Sequence, residues 1–147
     1  MESNDLSALT AADFQQFIAD GATRLTPRAI HDLVAELPDI RGRFPEIAAA
    51  GFPLAERQLS LLADVVEGFA FDRDRDLPYH VALESAFALS YFHRDVDLIP
   101  DTLGALGFTD DAAVIEIVIA RNAEPLRSFA KEHGHHWADV APAAGDA

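Results

Sequence analysis

A chain of 147 residues with 50% hydrophobic side chains has the size and composition of one globular domain. It can bury a core without a disulfide or structural metal, and its lack of cysteine removes thiolate zinc sites and cysteine nucleophiles. Eleven Lys and Arg against twenty-five Asp and Glu leave a net charge of −14, a field that repels phosphate backbones and draws cations and basic surfaces, so no nucleic-acid partner is expected. The start, MESNDLSALTAADF, lacks the basic n-region and apolar run of a secretion signal, and the most apolar run, Ala112 to Ala120, carries Glu116 and is far short of the ~20 residues a membrane span needs. A cytoplasmic protein without a transmembrane segment is expected.

In chain order, Thr10 and Asp13 form a capping-box-like start for a first helix. Phe14, Phe17 and Ile18 make its apolar stripe and Gly21 its stop. Thr26-Pro27 opens a second helix, in which Ile30, Leu33, Val34 and Leu37 recur at helical spacing until Pro38. A third, short helix is expected from Pro45 to Ala50, ending at Gly51. Pro53 starts a longer one with Leu54, Leu61, Leu62, Val65, Val66 and Phe69 on one broad face.

The charge-alternating run Asp72 to Asp76 reads as a solvated connector. Pro78 then begins a helix whose small residues, Ala82, Ser85, Ala86, Ala88 and Ser90, invite a close neighbour. Val114, Ile115, Ile117, Val118 and Ile119 leave almost no polar face on the next segment, which predicts the central, most buried helix; its β-branched run would also suit a strand. Pro125 should kink or restart that helix, with Leu126 and Phe129 continuing its apolar face.

The expected fold is all-α, a compact single-domain bundle of five to six helices. Residues 1–25 form a lead and short helix, 26–137 the helical domain, and 138–147 a flexible tail.

Between the last two large helices lies HRDVDLIPDTLGALGFTDD, His93 to Asp111, with five aspartates, Pro100 and two glycines. One reading makes these side chains architecture: Asp101 folds the turn beside Pro100, while Thr109, Asp110 and Asp111 accept hydrogen bonds from the first N–H groups of the following helix. The alternative is an oxygen-rich site for Mg²⁺, Mn²⁺ or Ca²⁺ built from Asp97, Asp101, Asp110 and Asp111, with His93 at its lip. A third makes the stretch an acidic contact for a partner. The spacing does not match a calcium EF-hand loop.

Elsewhere, His80 and Glu84 are four apart on one helix, where a plain side-chain hydrogen bond is the ordinary reading. Glu116 should sit on the narrow Ala112–Glu116–Ala120 edge, reaching water or an arginine such as Arg121 or Arg94. His133, His135 and His136 beside Trp137 read as charge balance at a helix end. No glycine-rich phosphate loop, G-x-S-x-G or H-E-x-x-H motif occurs, so conventional hydrolase and nucleotide chemistry has no sequence support.

The runs AFALSYF (Ala86 to Phe92), DLIPD (Asp97 to Asp101) and GFTDDAAVI (Gly107 to Ile115) resemble the YkvA family, a bacterial domain of unknown function with a D-x-I-P-D … G-x-x-D-D hallmark between two apolar helices. The resemblance extends over roughly Arg57 to Arg121. It implies a small helical domain and marks Asp97, Pro100, Asp101, Gly107, Asp110 and Asp111 as signature positions. Asp95 stands where the family has a proline. Many relatives look membrane-associated, but His80, Glu84 and Glu116 interrupt the corresponding helices here, so that property is not carried over.

The family implies no reaction. The sequence therefore points to a soluble, non-enzymatic helical module that binds a protein partner or a second copy of itself and needs no cofactor. The alternative is a divalent-metal protein, with metal-dependent hydrolysis as its chemistry.

Overall fold

The computed structural model describes residues 11–71, 77–94 and 107–142, all of whose regular structure is helical. The seven helices are α1 (Ala11–Thr23), α2 (Pro27–Ala49), α3 (Pro53–Ala70), α4 (Tyr79–Arg94), α5 (Gly107–Arg121), α6 (Ala123–Glu132) and α7 (Trp137–Val140). The β-branched run is helical, as its length and the absence of a partner strand favour. The expected cap Thr10 and the connector Asp72 to Asp76 lie outside the described residues.

Thr26 caps α2 as its sequence dictates, its hydroxyl accepting from the Ala29 N–H at 3.1 Å with Pro27 at the first helical position. Neither Pro38 nor Pro45 ends the helix, so the second and third expected helices are one. The prolines are seven apart, hence on the same face, and both are exposed. Each removes one hydrogen-bond donor where water can replace it, while Leu33, Leu37, Ile40, Phe44 and Ile47 keep an unbroken buried stripe on the opposite side. The helix ends where expected, at Gly51, whose φ of +110° is a left-handed conformation that glycine adopts without a Cβ penalty.

Burial is deepest on α3 and α4 rather than on α5. Leu59, Leu61, Leu62, Ala63, Val65 and Val66 of α3 are fully buried, and this helix packs against α2, α4, α5 and α7. The small residues of α4 do what their size allows: Ala82, Ser85, Ala86 and Ala88 are buried as α1, α2, α3 and α5 close around them. On α5, Val114, Ile115, Val118 and Ile119 are buried, but Ile117 is only partly so and Ala120 is exposed. Its strongly apolar run therefore marks a flank of the core and not its centre. Pro125 restarts the chain, lying in the first turn of α6 after the break at Asn122.

Two boundaries move. Helix α1 packs on α4 and α5 and belongs to the bundle. Residues 138–142, expected in a flexible tail, hold α7 and continue to Pro142, with Val140 only 2% exposed and Pro142 buried.

Gly21 is a contact and not a stop. It lies inside α1, where an added Cβ would run into the edge of the Phe87 ring and come within 2.7 Å of its Cδ1 and Cζ. That ring is held in turn by Phe17 and Tyr91, with centroids at 5.4 and 6.1 Å. Alanine there would gain up to about 1 kcal/mol of helix propensity and lose about 1–3 kcal/mol to overpacking. Gly21→Ala is expected to destabilise the fold by about 1–2 kcal/mol in urea unfolding, and Phe87→Leu in the same chain should recover most of the loss. Two additive effects would show that the close approach is unimportant.

Candidate functional site

Glu84 lies in the middle of α4 among Val81, Ala82, Ser85 and Ala88, and is only 5% exposed. A bare carboxylate in that setting costs several kcal/mol. Arg121, the last residue of α5, meets it through two parallel bonds, Nε to Oε1 at 3.0 Å and Nη2 to Oε2 at 2.9 Å. The buried amide of Asn122 donates to the same Oε1 at 2.9 Å and to the Val118 carbonyl at 2.9 Å. Burial pushes the Glu84 carboxyl upward, but the bonds from Arg121 and Asn122, with the charges of Arg121 and His80, outweigh it and hold the group below its ordinary value. The Arg121 guanidinium is shifted up, mainly by the same hydrogen bonds. Glu84 is thus an ionised pin between α4 and the α5–α6 junction, with Arg121, not His80, as its hydrogen-bonded partner. Arg121 is drawn to Glu84 rather than to Glu116, which lines an open cleft with Ala112 and the first turns of α3.

A second cationic contact lies at the other end of α4. Arg43 of α2 donates through Nη1 to the carbonyls of His93 at 2.8 Å and Phe92 at 3.4 Å, and its guanidinium lies 5.0 Å from the Phe92 ring centroid. It therefore supplies donors to the last carbonyls of α4, the role that a histidine at a helix end often takes. His93 itself has a 24% exposed side chain, its Nε2 lying 3.8 Å from Glu36 Oε1, beyond hydrogen-bond distance.

A third network joins α2, α3 and the end of α6. Arg41 Nη2 bridges Asp64 at 3.1 Å and Glu67 at 3.2 Å, and the His135 ring N–H at Nε2 donates to the other Asp64 oxygen at 2.7 Å. His133 stacks on Phe129 with centroids 4.0 Å apart. The histidine group is thus divided between an aromatic contact and an ion-pair network.

Of the residues singled out in the acidic stretch, Asp97, Pro100 and Asp101 lie outside the described residues. Gly107 is the first residue of α5, so the helix starts earlier than the paired aspartates suggest, and Asp110 and Asp111 are its fourth and fifth residues. Asp111 is buried, at 2% exposure, near the positive end of the helix dipole. His93 and Asp111 thus belong to the two shoulders of the stretch, the last turn of α4 and the start of α5. Among the described residues no group of three His, Asp or Glu side chains could hold a metal ion. Among the same residues no helix is long and apolar enough to cross a membrane.

Sequence reading missed the Glu84–Arg121–Asn122 cluster and the Arg43 clamp. A signal for the first was present: one acid inside an otherwise small and apolar helix face, and an Arg-Asn pair closing the next apolar run. For the second there was none, because Arg43 and His93 are brought together only by the packing of α2 on α4.

Residues 82–117, from the second turn of α4 into α5, match the model of a protein family of unknown function, DUF1232. The match falls within the span over which the sequence resembles the YkvA family, and it includes the whole connection between the two helices. No curated protein and no solved structure is significantly similar to the chain.

The ion pair has a pH signature. Because the folded Glu84 carboxyl titrates below its unfolded counterpart, its contribution to stability is complete above about pH 4.5 and is lost as pH falls through the folded value. Glu84→Gln should flatten the acid limb of a melting-temperature profile below about pH 4.5. Glu84→Ala should cost about 3 kcal/mol at neutral pH, at the low end for a broken buried pair because the Arg121 side chain keeps 30% of its exposure. An unaltered acid limb in Glu84→Gln would show that the pair does not act as a pin.

Proposed function

We propose that this chain is a non-enzymatic, cytoplasmic helical module that presents an acidic surface to a basic protein partner, with the His93 to Asp111 stretch as the contact. The observation that carries the reading is where the cations go. Arg41, Arg43, Arg57 and Arg121 all have partners within the chain: carboxylates for Arg41 and Arg121, main-chain carbonyls for Arg43 and Arg57. Four of the chain's eleven basic groups thus have partners within the chain, Arg57 from an exposed position, and the chain as a whole carries a net charge of −14. Three aspartates in the connection between α4 and α5, Asp95, Asp97 and Asp101, concentrate it. The α4 shoulder of that connection is met by Arg43 at its Phe92 and His93 carbonyls, and the two helices that flank it are tied together farther along by Glu84 and Arg121. A partner would meet a contact whose ends are already ordered, which lowers the entropic cost of association.

Fluorescence anisotropy with a labelled Lys/Arg-rich peptide tests this. Binding should weaken about tenfold as salt rises from low to physiological strength, and again about tenfold in the Asp97→Asn, Asp101→Asn double variant. A glutamate-substituted peptide should not bind. Equal affinity of wild type and double variant would overturn the contact.

The competing reading, a divalent-cation site on the same aspartates, has a separate readout. An ion at a hundred times its dissociation constant stabilises a fold by about 2.7 kcal/mol, or roughly 5–10 °C for a domain of this size. Metal-stripped protein is expected to melt at the same temperature with and without millimolar Mg²⁺, Mn²⁺ or Ca²⁺. A rise of that order, absent in the Asp97→Asn and Asp101→Asn variants, would replace the partner-binding reading with a metal site.

A further inference from the structure

Helix α6 finishes without help from α7. Gly134 has φ +80°, the His133 N–H reaches the carbonyls of Phe129 and Ala130, and the His135 N–H reaches back to the Ala130 carbonyl at 2.8 Å, the Schellman pattern. His135 then fastens this end to Asp64 of α3. The chain beyond is a separate piece. His136 is extended, and α7 is a single turn closed by the bonds Asp139 N–H to the His136 carbonyl and Ala141 N–H to the Trp137 carbonyl. One turn has no helical stability of its own.

What holds α7 is α3, and in a particular way. Arg57 Nε donates to the Asp139 carbonyl at 2.9 Å, and Gln58 Nε2, on a side chain only 1% exposed, donates to the Val140 carbonyl at 3.0 Å. Both contacts read main chain, not side chain. Specificity rests on Val140, which is buried, on Trp137, which is partly buried three residues earlier on the same face of the turn, and on the buried Pro142 that follows. His136, Ala138 and Asp139 are exposed. Few buried side chains and an independently capped neighbour place this turn at the low end of the range of local stabilities in a fold.

We infer that the α3 surface around Arg57 and Gln58 is a peptide-docking site, occupied in cis by a detachable C-terminal strap, residues 136–142. The ligand it takes in trans is a helical turn with an aromatic and a β-branched aliphatic residue three apart. The strap hinges at His136, because the base behind it stays closed by Gly134 and by the His135–Asp64 bond. Its release leaves the Gln58 amide and the Val140 cavity without their occupant, which favours re-docking of the strap or of a peptide that repeats its chemistry. The site uses none of the residues of the acidic stretch, so it stands or falls independently of the partner-binding proposal.

The probe is a fluorescein-labelled peptide of residues 135–142, HHWADVAP, titrated into the full chain. The strap competes with it in wild type and not in Val140→Asp, whose charged side chain cannot re-enter the cavity. Binding to Val140→Asp should be at least tenfold tighter than to wild type, and adding Gln58→Leu to that variant should abolish it. Equal affinity for both proteins, or no binding to a Val140→Asp chain that circular dichroism shows folded, overturns the inference. Native-state hydrogen exchange on the wild type tests it without any substitution. The Asp139 and Ala141 amides should exchange at least a hundredfold faster than that of Val65. Equal rates would mean that the strap opens only when the whole domain unfolds, which also overturns it.

Discussion

A carboxylate set among alanines and valines can exist only if something answers its charge, and in this bundle Glu84 is answered from another helix. The requirement is geometric as well as energetic. Two parallel bonds from a planar guanidinium fix both distance and orientation, and the Asn122 amide adds a third donor that also spans back to the Val118 carbonyl. The middle of α4, the last residue of α5 and the start of α6 are therefore held in one register. Apolar packing alone is less particular about sliding, since Ala82, Ala86 and Ala88 present a smooth surface along which a neighbouring helix could shift by a turn with little loss.

The same logic governs the overall charge. Twenty-five acids and eleven bases cannot be paired one to one, so the arrangement decides which acids are neutralised. Glu84, Asp64 and Glu67 each receive a cation within the fold. The remaining excess must be borne by the surface, where self-repulsion costs some stability.

Much of this fold was legible because it rests on local rules. Thr26-Pro27 capped a helix, Gly51 ended one, Pro53 and Pro78 stood at or just before helix starts, and four of the five small residues of α4, all but Ser90, were buried. The misreadings have a common cause, that a residue's local preference was overruled by its position in three dimensions. Gly21 resembled a stop because flexibility is its commonest use, whereas here the absent Cβ admits Phe87. Pro38 resembled a terminator, but on an exposed face the lost hydrogen bond is taken up by water. The α5 run was more apolar than α3 and yet less buried, since hydrophobicity reports what a segment can bury and not how many neighbours it will find. In the acidic stretch, the positions of interest could be named from sequence. What could not be read was that α5 begins at Gly107 and that α4 is clamped from α2, both consequences of tertiary packing.

The Arg43 clamp also explains how an acidic segment can come directly after α4. The C-terminus of a helix carries partial negative charge and unsatisfied carbonyls, which call for donors. Ionised carboxylates are acceptors only and cannot meet that need. Arg43, brought across from α2, supplies such donors: its guanidinium satisfies the Phe92 and His93 carbonyls while lying over the Phe92 ring, so these carbonyls are met by a cation from another helix.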